Sequence, residues 1–297
     1  GKAINQSDDE DNWHNYEYVF KAFNQKTNEP FAINLFSNEN HESWLPQLLT
    51  LSANVSGIVK IIGYQLPCDD NKYRLVIVTN YMKNGSLEIQ LDNYHHKNQK
   101  DKLNSTVRTK IIFGIASTMK KLHENNYGHG MLIPSQILID DNFEPLISFN
   151  YYRYLHEDEV YVYPPYFEFS VDPKISFFSV QLQEEIDFPS RRRSDVYAFA
   201  IILYRMFVGK LSLNLRNRCQ STDLIVKAAA KGKRPERQSC IPDCYWELIE
   251  RCWQQNPEDR PTFAEITEIL KDDRYVLHDN GEPDLNEIHR YRIEIEK

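Results

Sequence analysis

The sequence predicts an α+β fold in which a small, mostly antiparallel β lobe precedes a larger, mostly helical lobe. The first third of the chain contains four short runs rich in aliphatic and aromatic residues, separated by polar stretches, which is typical of strands joined by turns. After these runs, apolar residues recur at intervals of three and four, which is typical of helices that bury one face. A cleft between two such lobes is the default position for a ligand site.

The four strand predictions fall into two pairs. Tyr16–Phe23 and Phe31–Phe36 flank the polar stretch NQKTNEP and predict a hairpin. Ile58–Gln65 and Leu75–Asn80 are two further strand-like runs. We therefore expect one small sheet in this lobe.

A weak helical pattern lies between the two strand pairs, over Glu42–Leu51, and Pro46 interrupts it. An interior proline costs a helix about 3 kcal/mol. We therefore expect a helix that is short, kinked, or begins at Pro46, where the missing N–H does no harm.

The helical part of the chain has clearer signals. Val107 and the apolar residues after it recur at helical spacing, and Ser105 is a candidate cap for that helix. A second helix is predicted behind Asp195, and a third over Tyr245–Cys252. Thr262 and Glu265 have the spacing of a capping box for a fourth.

These patterns divide the chain into four predicted parts. Residues 1–12 form a polar, acidic N-terminus that we expect to be disordered. Residues 13–82 form the small lobe and residues 83–271 the large lobe. Residues 272–297 form a C-terminal tail with a terminal helix that begins near Leu285.

Composition excludes several classes of protein. The chain has 297 residues, a net charge of −8 and 41% hydrophobic residues, which fits a globular domain and not a nucleic-acid-binding protein with a basic stripe. No apolar run approaches the roughly 18–20 residues of a membrane span. The five cysteines include no CxxC pair, which favours free thiols in a reducing compartment. We therefore predict a cytoplasmic protein.

Four segments occur in a familiar order and at familiar spacings. They are YGHGMLIPSQILID (Tyr127–Asp140), LISFN (Leu146–Asn150), SDVYAFAIILYRM (Ser194–Met206) and CWQQNPEDRPTFAEITEIL (Cys252–Leu270). Together they resemble a eukaryotic protein kinase, closest to the tyrosine-kinase-like group. The resemblance extends over Tyr16–Leu270, and its C-terminal half is the more specific. It implies the bilobal kinase-like fold.

The resemblance also assigns roles to single positions, and the polar groups of catalysis are replaced at them. Phosphoryl transfer needs a lysine on the phosphates, two metal ligands and an Asp that accepts the hydroxyl proton. Loss of a positioned base alone reduces the rate roughly 10²–10⁴-fold. The substituted positions are the phosphate lysine (Asn34), the catalytic Asp (Met131), the catalytic-loop lysine (Ile133) and the two metal ligands (Gln136 and Ser148).

At the positions that the resemblance assigns to nucleotide binding, the phosphate contacts are substituted but the adenine pocket is retained in outline. The three glycines of the phosphate loop fall near Asn12, His14 and Glu17, none of which is glycine. The helix glutamate that pairs with the phosphate lysine falls at Pro46. An adenine pocket is still outlined, and whether it is open or filled by side chains such as Phe20 or Met131 stays undecided. Its matching residues are Val19, Ala32, Thr79, Met82 and Leu138.

Five positions of the family framework keep their character. His129 and Phe149 match the spine that links the lobes, and Asp195 matches the aspartate that opens the central helix and binds the catalytic-loop backbone. Glu184 should form a buried pair with Arg260, and breaking one partner of such a pair costs about 3–5 kcal/mol.

We therefore predict a pseudokinase that is not an enzyme and that acts as a scaffold or allosteric regulator in signalling. We expect no cofactor and no metal. The expected partners are other proteins, such as an active kinase or another signalling protein, and we expect neither nucleic-acid binding nor a membrane span. Two alternatives remain: a sensor that binds nucleotide without turnover, and a serine/threonine kinase of the tyrosine-kinase-like group with an unusual mechanism that recruits Asp140, Asp141 or Glu144.

Overall fold

The computed structural model describes residues 18–36, 41–66, 75–96, 99–149, 188–209, 229 and 231–297. The predicted α+β division is confirmed, since a sheet-rich small lobe precedes a helical large lobe. The N-terminal residues that we expect to be disordered lie outside these ranges. Among the residues within them, no helix has the length and apolar character to cross a bilayer.

The described part of the small lobe contains a four-stranded antiparallel sheet in the order β1-β2-β4-β3. Its strands are β1 (Tyr18–Phe23), β2 (Pro30–Phe36), β3 (Ile61–Gln65) and β4 (Leu75–Asn80). The predicted hairpin is β1 and β2. Strand β3 begins three residues later than its apolar run, because the residues from position 58 pair with the large lobe instead.

Helix α1 (His41–Asn54) lies between the two strand pairs and includes Pro46. The expectation that α1 would be short or begin at Pro46 is therefore wrong. Leu45, Leu48 and Leu51 are buried along one face of the helix, and their burial offsets the lost hydrogen bond.

Within the described ranges, the large lobe consists of helices and a small antiparallel hairpin. Its elements are α2 (Leu87–His96), α3 (Ser105–Glu124), β5 (Ile137–Ile139), β6 (Pro145–Ile147), α4 (Phe188–Val208), α5 (Asp243–Cys252), α6 (Phe263–Ile269) and α7 (Leu285–Glu296). Single 3-10 turns occur at Lys100–Leu103, Pro134–Gln136, Pro257–Asp259 and Asp273–Tyr275.

Two helix starts differ from the sequence prediction. The cap of α3 is Asn104, whose side chain accepts the N–H of Val107 at 3.0 Å, while the Ser105 hydroxyl accepts the N–H of Asn280 at 2.9 Å. Helix α4 begins at Phe188, so Asp195 lies inside the helix and does not open it. The arginines before Asp195 are strong helix formers, which allows this earlier start.

Two other predictions at helix ends are confirmed. Thr262 and Glu265 form the capping box of α6, with each side chain bonded to the other residue's backbone N–H. A terminal helix, α7, begins at Leu285 and is capped by Asp284.

Candidate functional site

Asp195 ties helix α4 to the loop that precedes the hairpin β5–β6. Its side chain is 1% exposed. One carboxylate oxygen accepts the backbone N–H of Gly130 at 2.7 Å, and the other accepts that of His129 at 2.8 Å. The second oxygen also lies 2.9 Å from Nε2 of His123. The backbone at 129 and 130 is therefore fixed by a buried charge.

The buried ring of His129 links this loop to the segment after β6. Its Nδ1 accepts the backbone N–H of Met131 at 3.2 Å, so the hydrogen must lie on Nε2. Nε2 then donates to the backbone oxygen of Ser148 at 2.8 Å. Phe149, the next residue, is 2% exposed. His129 and Phe149 are therefore both buried, and the His129 ring connects the 129–131 loop to the segment after β6.

Gln136 and Ser148 bind each other. The Ser148 hydroxyl donates to Oε1 of Gln136, and the Ser148 N–H donates to the Gln136 backbone oxygen at 2.9 Å. Both side chains are neutral, and Mg²⁺ prefers carboxylate oxygens. Across the described ranges, no group of three or more His, Cys, Asp or Glu residues is placed to hold a metal ion.

Three further predicted site residues are buried. Asn34 lies on β2 opposite Val19 of β1 and Ile77 of β4. Its side-chain amide donates to the Ile77 backbone oxygen at 3.3 Å. Met131 and Ile133 are each 7% exposed. Asn34 is thus engaged with the sheet, and the other two positions are apolar and covered.

The predicted adenine pocket is bordered by side chains that are only partly covered. Val19 on β1, Ala32 on β2, Met82 after β4 and Leu138 on β5 are half-buried, whereas Thr79 is 4% exposed. Side chains that form the wall of a cleft are expected to be half-buried, because each packs against the protein on one side and faces open space on the other. An open adenine pocket therefore stays a prediction.

The carboxylates after β5 have partners within their own turn or beside it. Asp140 accepts the backbone N–H groups of Asn142 and Glu144, each at 2.8 Å. Asp141 forms an exposed ion pair with Lys83 at 3.0 Å. Glu144 forms an ion pair with the buried Lys110 at 3.1 Å. These contacts stabilise the turn.

Sequence reasoning missed two residues near the site. His123, which shares Asp195 with the 129–131 loop, carries no local signal, because its partner is 72 positions away. Lys21 on β1 places its Nζ 4.2 Å from the ring centroid of Tyr81, which follows β4. The alternation of β1 puts Lys21 on the same face as Val19, which could have indicated this contact.

The remaining predicted framework residues are Arg260 and Glu184. Arg260 is 2% exposed and donates to the backbone oxygens of Gln254 and Arg193, at 2.9 and 3.0 Å. Glu184 lies outside the described residues, as do Asn12, His14 and Glu17, so the pair of Glu184 with Arg260 stays a prediction.

A cavity of about 430 Å³ lies in the large lobe among the ends of α3, α4 and α6. Its walls include His123, Val196 and Phe263, with both acidic and basic side chains at its border. None of the predicted nucleotide or metal positions lines it. The cavity is therefore separate from the cleft.

Comparison with known proteins places the chain in a family. A family model described as protein tyrosine and serine/threonine kinase matches residues 16–270. The chain belongs to this family, and its bilobal fold is the protein kinase fold.

Named kinases are among its relatives. Serine/threonine-protein kinase STY17 of Arabidopsis thaliana is 29% identical over 66% of this chain, and human tyrosine-protein kinase TXK is 30% identical over 66%. Human receptor-interacting serine/threonine-protein kinase 1 is 27% identical over 73%. The matched regions span only 32%, 36% and 32% of these three proteins.

These comparisons contradict the prediction that the chain is not an enzyme. The matching family is one of protein kinases, and the relatives are named as serine/threonine or tyrosine kinases. That prediction rested on matching single positions, such as Asn34 and Met131, to the family pattern. Family membership and the named relatives point to a kinase instead.

Proposed function

We propose that this chain is a signalling domain of the protein kinase family whose principal function is to bind other proteins, as a scaffold or an allosteric regulator. The observation that carries the proposal is the pairing of Gln136 with Ser148 next to the Asp195–His129 framework. The contacts of Asp195 with His129 and Gly130 are formed, while the two proposed metal positions are neutral and bonded to each other. In this proposal the partners are proteins of the cytoplasm, such as an active kinase.

The second candidate is phosphoryl transfer to proteins, and the comparisons favour it. The relatives named as serine/threonine kinases support a place in the tyrosine-kinase-like group. Under this candidate the chain would need an acid–base group and a metal ligand from outside the usual positions. The candidate carboxylates lie in the β5–β6 turn. Asp140 accepts backbone N–H groups of the turn, Asp141 pairs with Lys83, and Glu144 pairs with Lys110 of α3.

A third candidate is a nucleotide sensor, and the half-buried walls at Val19, Ala32, Met82 and Leu138 favour it. Such a site would hold the adenine and bind ATP without a metal ion. It is compatible with the first proposal, because nucleotide binding could regulate the docking of a partner.

Thermal unfolding in the presence of ATP separates the candidates. A ligand at 100 times its Kd stabilises the folded state by about 2.7 kcal/mol, which is readily detected. We expect that adding MgCl₂ or EDTA makes no difference to the effect of ATP, because Gln136 and Ser148 offer no charged ligand. A metal-independent rise in Tm supports the nucleotide sensor.

Incorporation of radiolabelled phosphate from ATP, measured on the chain itself and on a generic protein substrate, is the companion measurement. A magnesium-dependent rise in Tm together with phosphate incorporation would contradict binding as the principal function and support the kinase candidate. Asp101→Asn is the matched control, since it removes an exposed carboxylate of the large lobe without altering the proposed metal positions or the carboxylates of the β5–β6 turn.

A further inference from the structure

The C-terminal helix α7 packs closely on α3, the long helix at the centre of the large lobe. Ile288 and Tyr291 of α7 are buried. Gly114 of α3 makes the approach possible, because a Cβ at that position would lie 2.3 Å from the Tyr291 hydroxyl oxygen. The two helices therefore meet over a surface that no larger residue at 114 would allow.

The last turn of α7 reaches the small lobe through Lys121 of α3. Nζ of Lys121 donates to the backbone oxygen of Ile295 at 2.6 Å and to Oγ of Ser56 at 2.5 Å. Ser56 lies just after α1, at the start of the segment 55–60 that leads to β3. One ammonium group thus joins α7, α3 and this segment, which we call the 55–60 loop.

The 55–60 loop is in turn hydrogen-bonded to β6. The Ile147 N–H donates to the Gly57 oxygen at 2.8 Å, and the Val59 N–H donates to the Ile147 oxygen at 3.0 Å. Gly57 has a φ of +83°, and a Cβ there would lie 1.9 Å from Oγ1 of Thr118 on α3. The loop is therefore held between α3 and β6, and Ile147 is followed directly by Ser148.

The first turn of α7 reaches the other end of the same hairpin. Nζ of the buried Lys110 on α3 lies 2.8 Å from Glu287 of α7 and 3.1 Å from Glu144 of the β5–β6 turn. Burial alone would lower the pKa of Lys110, but its hydrogen bonds with Glu287 and Glu144 outweigh burial and raise it. The lysine is therefore charged while it joins these two carboxylates.

We propose that α7 is a conformational brace whose docking on α3 controls the 55–60 loop and β6, and through them the position of Ser148 in the cleft. Undocking of α7 removes the Ile295 oxygen from Lys121 and the Glu287 carboxylate from Lys110. The contacts at both ends of β6 are therefore weakened together. The inference does not depend on which of the candidate functions is correct, because it concerns the coupling between α7 and the cleft.

Hydrogen–deuterium exchange on the full chain tests the coupling. Lys121→Met removes the ammonium that bridges Ile295 and Ser56, and it leaves only their direct hydrogen bond of 3.5 Å. We expect amide exchange of Val59 and Ile147 to become roughly tenfold faster, as for the loss of a hydrogen bond to a charged group. Peptides from α5 should be unchanged. Arg290→Ala, on the exposed side of α7, is the matched control and should change neither region.

Faster exchange confined to α7 and the end of α3 would overturn the proposal, because it would mean that the last turn frays without affecting the loop. No change at Val59 and Ile147 would overturn it as well. If Lys121→Met unfolds the chain, so that every peptide exchanges faster, Ser56→Ala decides by the same criterion. It removes the hydroxyl that accepts from Lys121 and donates to the Ile295 oxygen of α7.

Discussion

The carboxylate of Asp195 accepts the backbone N–H of His129 at 2.8 Å, which joins the central helix α4 to the loop that carries Met131. The same carboxylate accepts the N–H of Gly130 and contacts His123. Since Asp195 is 1% exposed, water cannot replace it as an acceptor. A buried side chain from a distant helix therefore helps to fix the loop conformation.

Replacing Asp195 with alanine should destabilise the chain by about 3–5 kcal/mol, because the buried N–H of His129, the N–H of Gly130 and His123 all lose their acceptor. Urea unfolding followed by circular dichroism measures the change. Asp195→Asn keeps one acceptor oxygen and should lose less. Asp141→Asn, at an exposed ion pair, should stay within about 1 kcal/mol of the wild type. A loss for Asp195→Ala as small as that for Asp141→Asn would be inconsistent with this role.

The double variant Ser148→Asp with Gln136→Asn should create magnesium-dependent binding of ATP. The mutual hydrogen bond between these side chains is replaced by a carboxylate and an amide, the pair that the kinase resemblance assigns to the metal. The measurement is the change in Tm on adding MgCl₂ in the presence of ATP. The single variant Gln136→Asn is the control and should show no dependence on magnesium, because it adds no charge.

A double variant that binds ATP equally well with and without magnesium would argue that positions 136 and 148 do not form the metal site. Loss of the cooperative unfolding transition would be visible in the same scan, which separates misfolding from a missing metal effect.

Features set by neighbouring residues were predictable from the sequence. The hairpin of β1 and β2 follows from alternating apolar residues around a polar turn, and the Thr262–Glu265 capping box follows from its spacing alone. The kinase fold followed from the order of four segments. The hairpin and the capping box are each determined by residues within one short segment. The fold was recognisable because four such segments occur in the order typical of kinases.

Features set by distant contacts were not predictable. Pro46 lies within α1 because the burial of leucines on one face of that helix offsets its energetic cost. Ser105 does not cap α3, because its hydroxyl accepts a hydrogen bond from the backbone N–H of Asn280. The contact between Lys121 and Ile295 joins residues 174 positions apart. A pattern within one helix contains no information about which backbone oxygen a distant helix will present.

The stabilising effect of Glu265 should depend on pH in the acid range. Its hydrogen bonds from the backbone and side chain of Thr262 lower the pKa of Glu265 below its ordinary value of 4.5. A lowered folded-state pKa means that the contribution is present above pH 4.5 and is lost as pH falls through the folded-state value. Glu265→Gln should therefore destabilise the chain at pH 7, with the difference shrinking below pH 4.5.

Urea unfolding of Glu265→Gln and of the wild type at pH 7 and at pH 3.5 to 4.5 measures this dependence. Glu250→Gln on the exposed side of α5 provides a control, because Glu250 belongs to another helix. A constant difference between Glu265→Gln and wild type at every pH would contradict the assignment of the effect to the carboxylate.

Replacing Pro46 with alanine should stabilise the chain. Proline cannot donate a hydrogen bond to the carbonyl one turn earlier in α1, and an interior proline costs a helix about 3 kcal/mol. Proline also restricts the unfolded chain, which returns about 0.4–1 kcal/mol of that cost. A net gain of about 2 kcal/mol in the free energy of unfolding is therefore expected from urea titrations of Pro46→Ala.

The exposed neighbour Gln47 supplies the matched control, since Gln47→Ala changes helix propensity only slightly. Equal stability of Pro46→Ala and Gln47→Ala would mean that the ring of Pro46 makes packing contacts that compensate for its missing N–H. A gain confined to Pro46→Ala would show that α1 carries the full cost of an interior proline, and that its buried leucines hold the helix in place despite it.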